Sequence, residues 1–416
     1  MNLLVFVEFD GTFEQLGNIV TKSGVGGTFC YCDSWVKNHL NHSLSISLPV
    51  SSHEFRECEM KPYFSGLLPE EQALAEVAST MHITSRSFLK ILKSLGDECI
   101  GAVRIVDGEA EESSKTPRYE TLCDEDLKKI ATSSYSTSAV MNVEARLSIA
   151  GAQAKTGVYI DPVTGEFCLP KNSAPSNWIA KPNNRRFDSL IDNEFYCMRL
   201  ARSCGLKVAE CKIYYAGEPL LLIKRFDRVQ GSSDAIIDGH SKFFRLHQED
   251  FCQALGILNS KKYETQHAHF ARKSADLLRQ HCTDSISALK EFFNLVAFNF
   301  LIGNCDAHLK NYSLIRSQDW KTLSLAPAYD LVSTATYENL SSTLAMFIGK
   351  AQKLENVTKE SFCELGFNLG FSSKATQKLL EEFLANFSDG IKSCGCESKT
   401  AETVKQESLQ RLSQIM

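Results

Sequence analysis

The hydrophobic pattern at the start of the chain, LLVFVEFDGTF, is strand-like and predicts a strand that turns at Asp10-Gly11. SLSISLPV alternates again and predicts a second strand. LPEEQALAEVASTM and TSRSFLKILKSLG carry helical spacing, the latter opened by a Thr/Ser cap and closed by Gly96. CIGAVRIV reads as another strand and closes a first region at residue 107. Residues 108–139 are charged and rich in Ser and Thr, which predicts a linker followed by one short helix. From about 140 the pattern becomes strand-rich through ARLSIAGAQAKTGVYIDPVTGEFCLP and WIAKP. A helix is predicted over LIDNEFYCMRLARSCGL, ending at Gly205. Two strands, AECKIYYAG and PLLLIKRFDR, then complete a small mixed sheet by residue 235. Helical patterns dominate from about 236–245 to residue 416. A strand-rich half followed by a helical half predicts a two-lobed α+β enzyme.

Composition narrows the class. The 416 residues suffice for two or three domains, and 43% hydrophobic with 23% charged residues is a globular balance. No uninterrupted apolar run reaches the roughly 18 residues of a membrane span, and the N-terminus lacks the basic flank of a signal peptide. A net charge of −5 argues against direct nucleic-acid binding, although KPNNRR (residues 181–186) is a local basic patch. The fifteen cysteines show no disulfide-like framework and predict reduced thiols in a cytoplasmic protein. The pairs Cys30/Cys32 and Cys394/Cys396 are spaced too closely for a structural zinc site.

Candidate chemistry concentrates in FLIGNCDAHLKNYSL, where an apolar run ends in groups that are costly to desolvate. Asp306 and Asn311 stand in a D-x-x-x-x-N spacing. Kinase catalytic loops use that spacing to place a proton-accepting Asp and a Mg²⁺-holding Asn on one phosphate. Lys310 lies between them, and Asp330 follows nineteen residues after Asn311 in APAYDLVS, where a second metal carboxylate belongs. Taken alone, the motif fits a solvated loop with a helix cap better than a catalytic loop.

Upstream, LSIAGAQAKTGVYI predicts a small-residue turn between two strands, whose backbone N–H groups could approach phosphate, with Lys155 adding charge. Lys181 on a strand and Glu194 on the next helix have the character of a phosphate-gripping pair. The backbone of Lys224 and Phe226 falls where a hinge would read an adenine edge. Phosphate loop, strand Lys, helix Glu, hinge, catalytic Asp/Asn and metal Asp occur in kinase order.

LSIAGAQAKT, DNEFYC, RFDR, HQEDFCQALG, GNCDAHLKN and YDL resemble the HipA family of bacterial serine/threonine kinases, toxins of HipA/HipB toxin–antitoxin modules. SLSISLP, FSGLLPE and IGAVRI resemble that family's N-terminal subdomain. The resemblance implies a two-lobed protein-kinase-like fold with an additional small α/β N-terminal subdomain and an all-helical C-terminal lobe. It implies Asp306 as catalytic base and Asn311 and Asp330 as Mg²⁺ ligands. ATP would be bound by Ile149, Ala150, Gly151, Ala152, Gln153, Lys155, Lys181, the backbones of Lys224 and Phe226, His308 and Lys310. Glu194 and the segment from Gln248 to Asp250 would give structural support, the latter by bracing the catalytic loop. Ser148 is similar to the family's autophosphorylated serine, whose phosphorylation inactivates the kinase. The implied partners are a HipB-like helix-turn-helix antitoxin, through which DNA is reached only indirectly, and a protein substrate such as an aminoacyl-tRNA synthetase. No membrane is implied. Ala154, Ala307 and Leu309 depart from residues common in relatives without removing a needed chemical group. A small-molecule kinase of the same plan and a mainly co-repressing role with the antitoxin remain open beside this reading.

Overall fold

The computed structural model describes residues 1–22, 26–40, 42–108, 116–132, 135–184 and 186–416. The first part of the predicted linker, at 109–115, lies outside the described residues, as does Arg185 of the KPNNRR patch. The chain forms two compact units. The first holds residues 1–183, 212–259 and 315–321; the second holds 184–211, 260–314 and 322–416. The predicted helix, α7 (Leu190–Ser203), therefore belongs with the second unit rather than with the strands that flank it in sequence.

In the first unit, β1 (Asn2–Phe9) pairs antiparallel with β2 (Thr12–Lys22) across Asp10-Gly11. Both turn residues have positive φ, 47° and 81°, the primed-turn geometry that an Asp-Gly pair adopts easily. Leu3, Val5 and Val7 alternate into the core as the sequence pattern requires. With β3 (Gly26–Tyr31), β4 (Phe55–Arg56) and β5 (Val103–Asp107) they form a five-stranded sheet of order β4-β3-β2-β1-β5. Helices α1 (Asp33–Asn38), α2 (Glu57–Gly66), α3 (Glu71–Thr80) and α4 (Phe88–Leu95) accompany it. In α4, Phe88, Leu89, Ile91, Leu92 and Leu95 are buried, a full apolar stripe at helical spacing.

SLSISLPV is not a strand. It is a loop with a single bridge, Ser45 to Leu48, because its serines are held by side-chain bonds: Ser45 Oγ donates to Glu249 at 2.6 Å and Ser47 Oγ to the Gln253 carbonyl at 2.7 Å.

The same unit contains a six-stranded sheet of order β10-β11-β9-β7-β8-β6. Its strands are β6 (Arg118–Thr121), β7 (Thr156–Ile160), β8 (Phe167–Lys171), β9 (Trp178–Pro182), β10 (Cys211–Ala216) and β11 (Glu218–Lys224). The β6–β8, β8–β7, β7–β9 and β9–β11 pairs are antiparallel, where a mixed sheet was expected. Region 108–139 contributes the edge strand β6, helix α5 (Asp124–Ala131) and the start of helix α6 (Tyr135–Ala145). The strand-rich stretch expected from 140 thus begins as a helix. Leu127 and Ile130 of α5 cover Val158, Trp178, Leu220 and Leu222 on one sheet face. A short helix, α8 (Phe251–Ala254), completes the unit. Residues 315–321 return to it and place Trp320 in the first core, stacked on His247 at 4.8 Å.

The second unit is built on helices α7, α9 (Phe270–His281), α10 (Ser285–Ile302), α11 (Lys359–Asn368), α12 (Ser373–Ser393) and α13 (Lys399–Ile415), with short strands such as Thr343–Ile348. The α10 helix has the length and apolar character of a membrane span, but it is 67% buried inside the protein and is the central core helix here.

Candidate active site

In the second unit, α10 delivers the catalytic-loop candidates. The helix ends at Gly303 with φ 73°. A Cβ there would meet an Arg411 guanidinium nitrogen at 2.7 Å and Ala335 at 2.8 Å, so glycine is required on both backbone and steric grounds. Arg411 caps the helix end through the carbonyls of Leu301 and Ile302. Asn304 is buried. Its side chain bonds Asn299 at 2.9 Å and accepts from the Asp306 backbone N–H at 3.0 Å. The Cys305 N–H donates to Thr334 Oγ1, which in turn donates to the Gly303 carbonyl. A turn bound at so many points holds Asp306 in one place while leaving it exposed.

Asp306 and Asn311 come together. The Asn311 side-chain amide donates to the Asp306 carbonyl at 3.1 Å, which directs its nitrogen to the loop. Asp306 Oδ1 accepts from the Tyr263 hydroxyl at 2.8 Å. His308 and Lys310 are buried, and the Lys310 carbonyl accepts from Tyr329 Oη at 2.7 Å. Tyr329 Oη also contacts Ser313 Oγ at 2.6 Å, so the residue before Asp330 is tied to the segment that follows Asn311. Asp330 itself has φ 57°, a strained conformation for a non-glycine residue and one that gathers at functional sites. Carboxylate and amide oxygens form a hard donor set that suits Mg²⁺. On α7, Glu194 is buried, and its neighbour Asn193 bonds Ser333 in both directions, at 3.0 and 2.8 Å. The segment following Asp330 is thereby fixed to α7.

The other predicted residues lie in the first unit. Ser148 is fully buried: its Oγ donates to the Leu67 carbonyl at 2.7 Å and its N–H to the Glu98 carbonyl at 2.8 Å. The loop from Ile149 through Ala150, Gly151, Ala152 and Gln153 to Lys155 lies between helix α6 and strand β7, not between two strands. Parallel bridges join Leu147 to Glu98 and Gly151 to Pro69. Lys155 Nζ donates to the Ala150 carbonyl at 2.9 Å, and the Glu70 N–H donates to the Gly151 carbonyl at 3.1 Å. Two carbonyls that would repel a phosphate are therefore held by donors. Gly151 has φ 109°, and a Cβ there would meet Lys155 Nζ at 2.5 Å. Lys181 is buried on β9 opposite Leu221. Lys224 closes β11 opposite Trp178, and the next N–H, that of Arg225, donates to the Asn177 carbonyl just before Phe226. Gln248 bonds Asp227 at 3.2 Å, and Asp250 caps α8 through the Gln253 N–H at 2.9 Å.

The sequence reading missed a buried charge cluster in this unit. Arg225, Arg228 and Arg245 meet Glu8, Glu98 and Asp227, all at most 4% exposed. Arg225 binds Glu98 at 3.2 Å and Asp227 at 2.8 Å; Arg228 binds Glu98 at 2.9 Å; Arg245 binds Glu98 at 2.5 Å and Glu8 at 3.2 Å. Burial alone would raise the Glu98 carboxyl, but Arg228, Arg245 and Arg225 outweigh it and hold it down at about 2. Asp227 is likewise held well below the usual carboxylate range, Arg225 and Arg228 overcoming its burial. The Glu98 carbonyl is the one that binds Ser148, so a single residue connects the Ser148 segment to the Arg225 segment. RFDR was the visible trace of this cluster; Glu98 and Arg245, 147 positions apart, carry no joint signal.

Two family models match the chain. The HipA-like C-terminal domain matches residues 147–391 and the HipA N-terminal domain matches residues 11–106. The chain belongs to the HipA family. Within and around that family, the Sinorhizobium fredii protein Y4mE is 33% identical over 340 residues, covering 80% of this chain and 78% of that one. The serine/threonine-protein kinase toxin HipA of Shewanella oneidensis is 29% identical over 302 residues, covering 70% of this chain and 66% of that one. The solved HipA of Shewanella oneidensis, in complex with HipB and operator DNA, shares the HipA fold with a TM-score of 0.80 at 23% identity, covering 99% of this chain and 97% of that one.

Proposed function

We propose that the chain is an ATP- and Mg²⁺-dependent protein serine/threonine kinase of the HipA toxin type. The observation that carries this reading is the loop in which the Asn311 amide binds the Asp306 carbonyl while Tyr329 ties the Asp330 segment to Lys310. Asp306 accepts the proton of a Ser or Thr hydroxyl as that oxygen bonds the γ-phosphorus of ATP, and ADP leaves with the electrons of the broken P–O bond. Lys310 adds positive charge close to that transfer. Asn311 and Asp330 would hold Mg²⁺, whose role is to neutralise charge on the phosphates. In the first unit, Lys181, Lys155 and the Ile149–Gln153 loop would contact phosphates, and the backbones of Lys224 and Phe226 the adenine.

The relative named a serine/threonine-protein kinase toxin supports the acceptor class. The solved HipA–HipB–DNA complex supports a HipB-like antitoxin as partner, with DNA reached through it, in keeping with the net charge of −5. We assign the target to the translation machinery, with an aminoacyl-tRNA synthetase as the representative case, and Ser148 to self-inactivation. A phosphate on Ser148 cannot fit the buried position the hydroxyl now holds, so modification would displace the loop. The test is intact mass and peptide mapping of wild type and Asp306→Ala after incubation with Mg·ATP. One phosphate on Ser148, absent from the variant, is expected. Wild-type protein that phosphorylates neither itself nor any protein in a bacterial lysate would overturn the reading.

A further inference from the structure

We propose that Tyr263 is a positioning residue for Asp306, its hydroxyl aiming the carboxylate at the acceptor proton. The inference rests on the reading of Asp306 as the catalytic base. Tyr263 reaches Asp306 Oδ1 at 2.8 Å from 43 positions upstream. The tyrosine is fixed from both sides. The Leu309 N–H donates to the Lys262 carbonyl at 3.4 Å, so the preceding residue is stitched to the catalytic loop itself. The following residue, Glu264, donates its N–H to the Ala345 carbonyl at 2.8 Å. Its carboxylate accepts from the backbone of Phe270 at 2.9 Å and of Phe347 at 2.7 Å. The Tyr263 ring stands edge-on to His308, with centroids 5.3 Å apart, and the Lys262 ammonium lies 5.5 Å from its centre.

This anchoring separates Tyr263 from an ordinary surface contact. The residue is 44% exposed. A phenol on a loose loop would lose most of such a bond to the entropy of ordering it. Here the backbone on either side is already ordered by other bonds, so the O–H to carboxylate interaction keeps its full directional value. A hydrogen bond to a charged group is worth about 1.5–3 kcal/mol, which is roughly a ten- to hundredfold effect on a rate that depends on it. The bond fixes the carboxylate rotamer, which sets kcat through the approach of the accepting oxygen.

The test compares wild type, Tyr263→Phe and Asp306→Ala in Mg·ATP with dephosphorylated casein as acceptor. Phenylalanine keeps the ring against His308 and removes only the hydroxyl. The expected result for Tyr263→Phe is a ten- to hundredfold lower kcat, an unchanged KM for ATP and for casein, and an unchanged stabilisation by Mg·ADP in thermal melts. A wild-type kcat would overturn the inference. So would a change confined to the KM for casein, which marks an acceptor contact, or loss of the Mg·ADP stabilisation, which marks a structural role. Failure of the base reading itself looks different: Asp306→Ala would retain the wild-type rate, or the wild type would transfer no phosphate.

Discussion

Glu249 sits between Gln248 and Asp250, and its chemistry differs from both. It accepts from Ser45 Oγ at 2.6 Å and from the Ile46 N–H at 3.1 Å in the interior of the first unit. Burial pushes its carboxyl up to about 7, against the opposing pull of the Ser45 bond and the Arg316 charge. A carboxyl whose folded value exceeds its unfolded value binds its proton more tightly in the folded state. The stability it adds is therefore complete below the ordinary value near 4.5 and is lost as pH rises from there to about 7. Thermal melts at pH 5 and pH 7.5 should show a drop that Glu249→Gln largely removes; equal drops in the two proteins would refute this. At this scale, Asp306, Asn311 and Asp330 were legible because their spacing within a short segment is the signal. Tyr263 and Glu98 were not, because their partners lie far along the chain and neither residue belongs to a local pattern.

Among elements, the ones read correctly have a clean period. β1 buries Leu3, Val5 and Val7 at alternate positions before an Asp-Gly turn, and α4 has a full apolar stripe. Strand β6 was hidden because an edge strand buries little: Tyr119 is its one buried residue. Helix α6 was hidden because YSTSAVMNVEA is small and mildly apolar all round. SLSISLPV misled because side-chain bonds from its serines stand in for a strand ladder. The junction of α10 with the catalytic loop gives a sharp element-level expectation. Gly303→Ala must strain a positive φ and displace Arg411, so it should cost about 1–3 kcal/mol in urea unfolding and lower phosphate transfer as well. Unchanged stability would show that the Arg411 cap yields without cost.

Across the whole molecule, the chain passes between its two units five times, at 183/184, 211/212, 259/260, 314/315 and 321/322. Neither unit is a continuous piece of sequence, which is why boundaries drawn along the chain could not reproduce them. The first unit unites the N-terminal sheet with the six-stranded sheet through the Glu98 cluster. Glu98→Gln leaves three buried arginines facing two carboxylates, and the expected loss is about 3–5 kcal/mol in chemical denaturation of the full chain. The wild-type contribution is present above the ordinary carboxyl value near 4.5 and lost as pH falls through about 2, so the variant should differ least from wild type in strong acid. A gap that stays constant down to the lowest pH at which the chain folds would contradict this.

The burial of Ser148 carries a kinetic consequence. Its hydroxyl is inaccessible while Leu67 and Glu98 hold the segment, so any phosphorylating reaction there proceeds no faster than that segment peels away. Once a dianion is attached, the pocket that fitted a neutral hydroxyl cannot close again. Under the proposed modification of Ser148, the segment would behave as a ratchet: its opening frequency would set a clock, and each molecule would advance once.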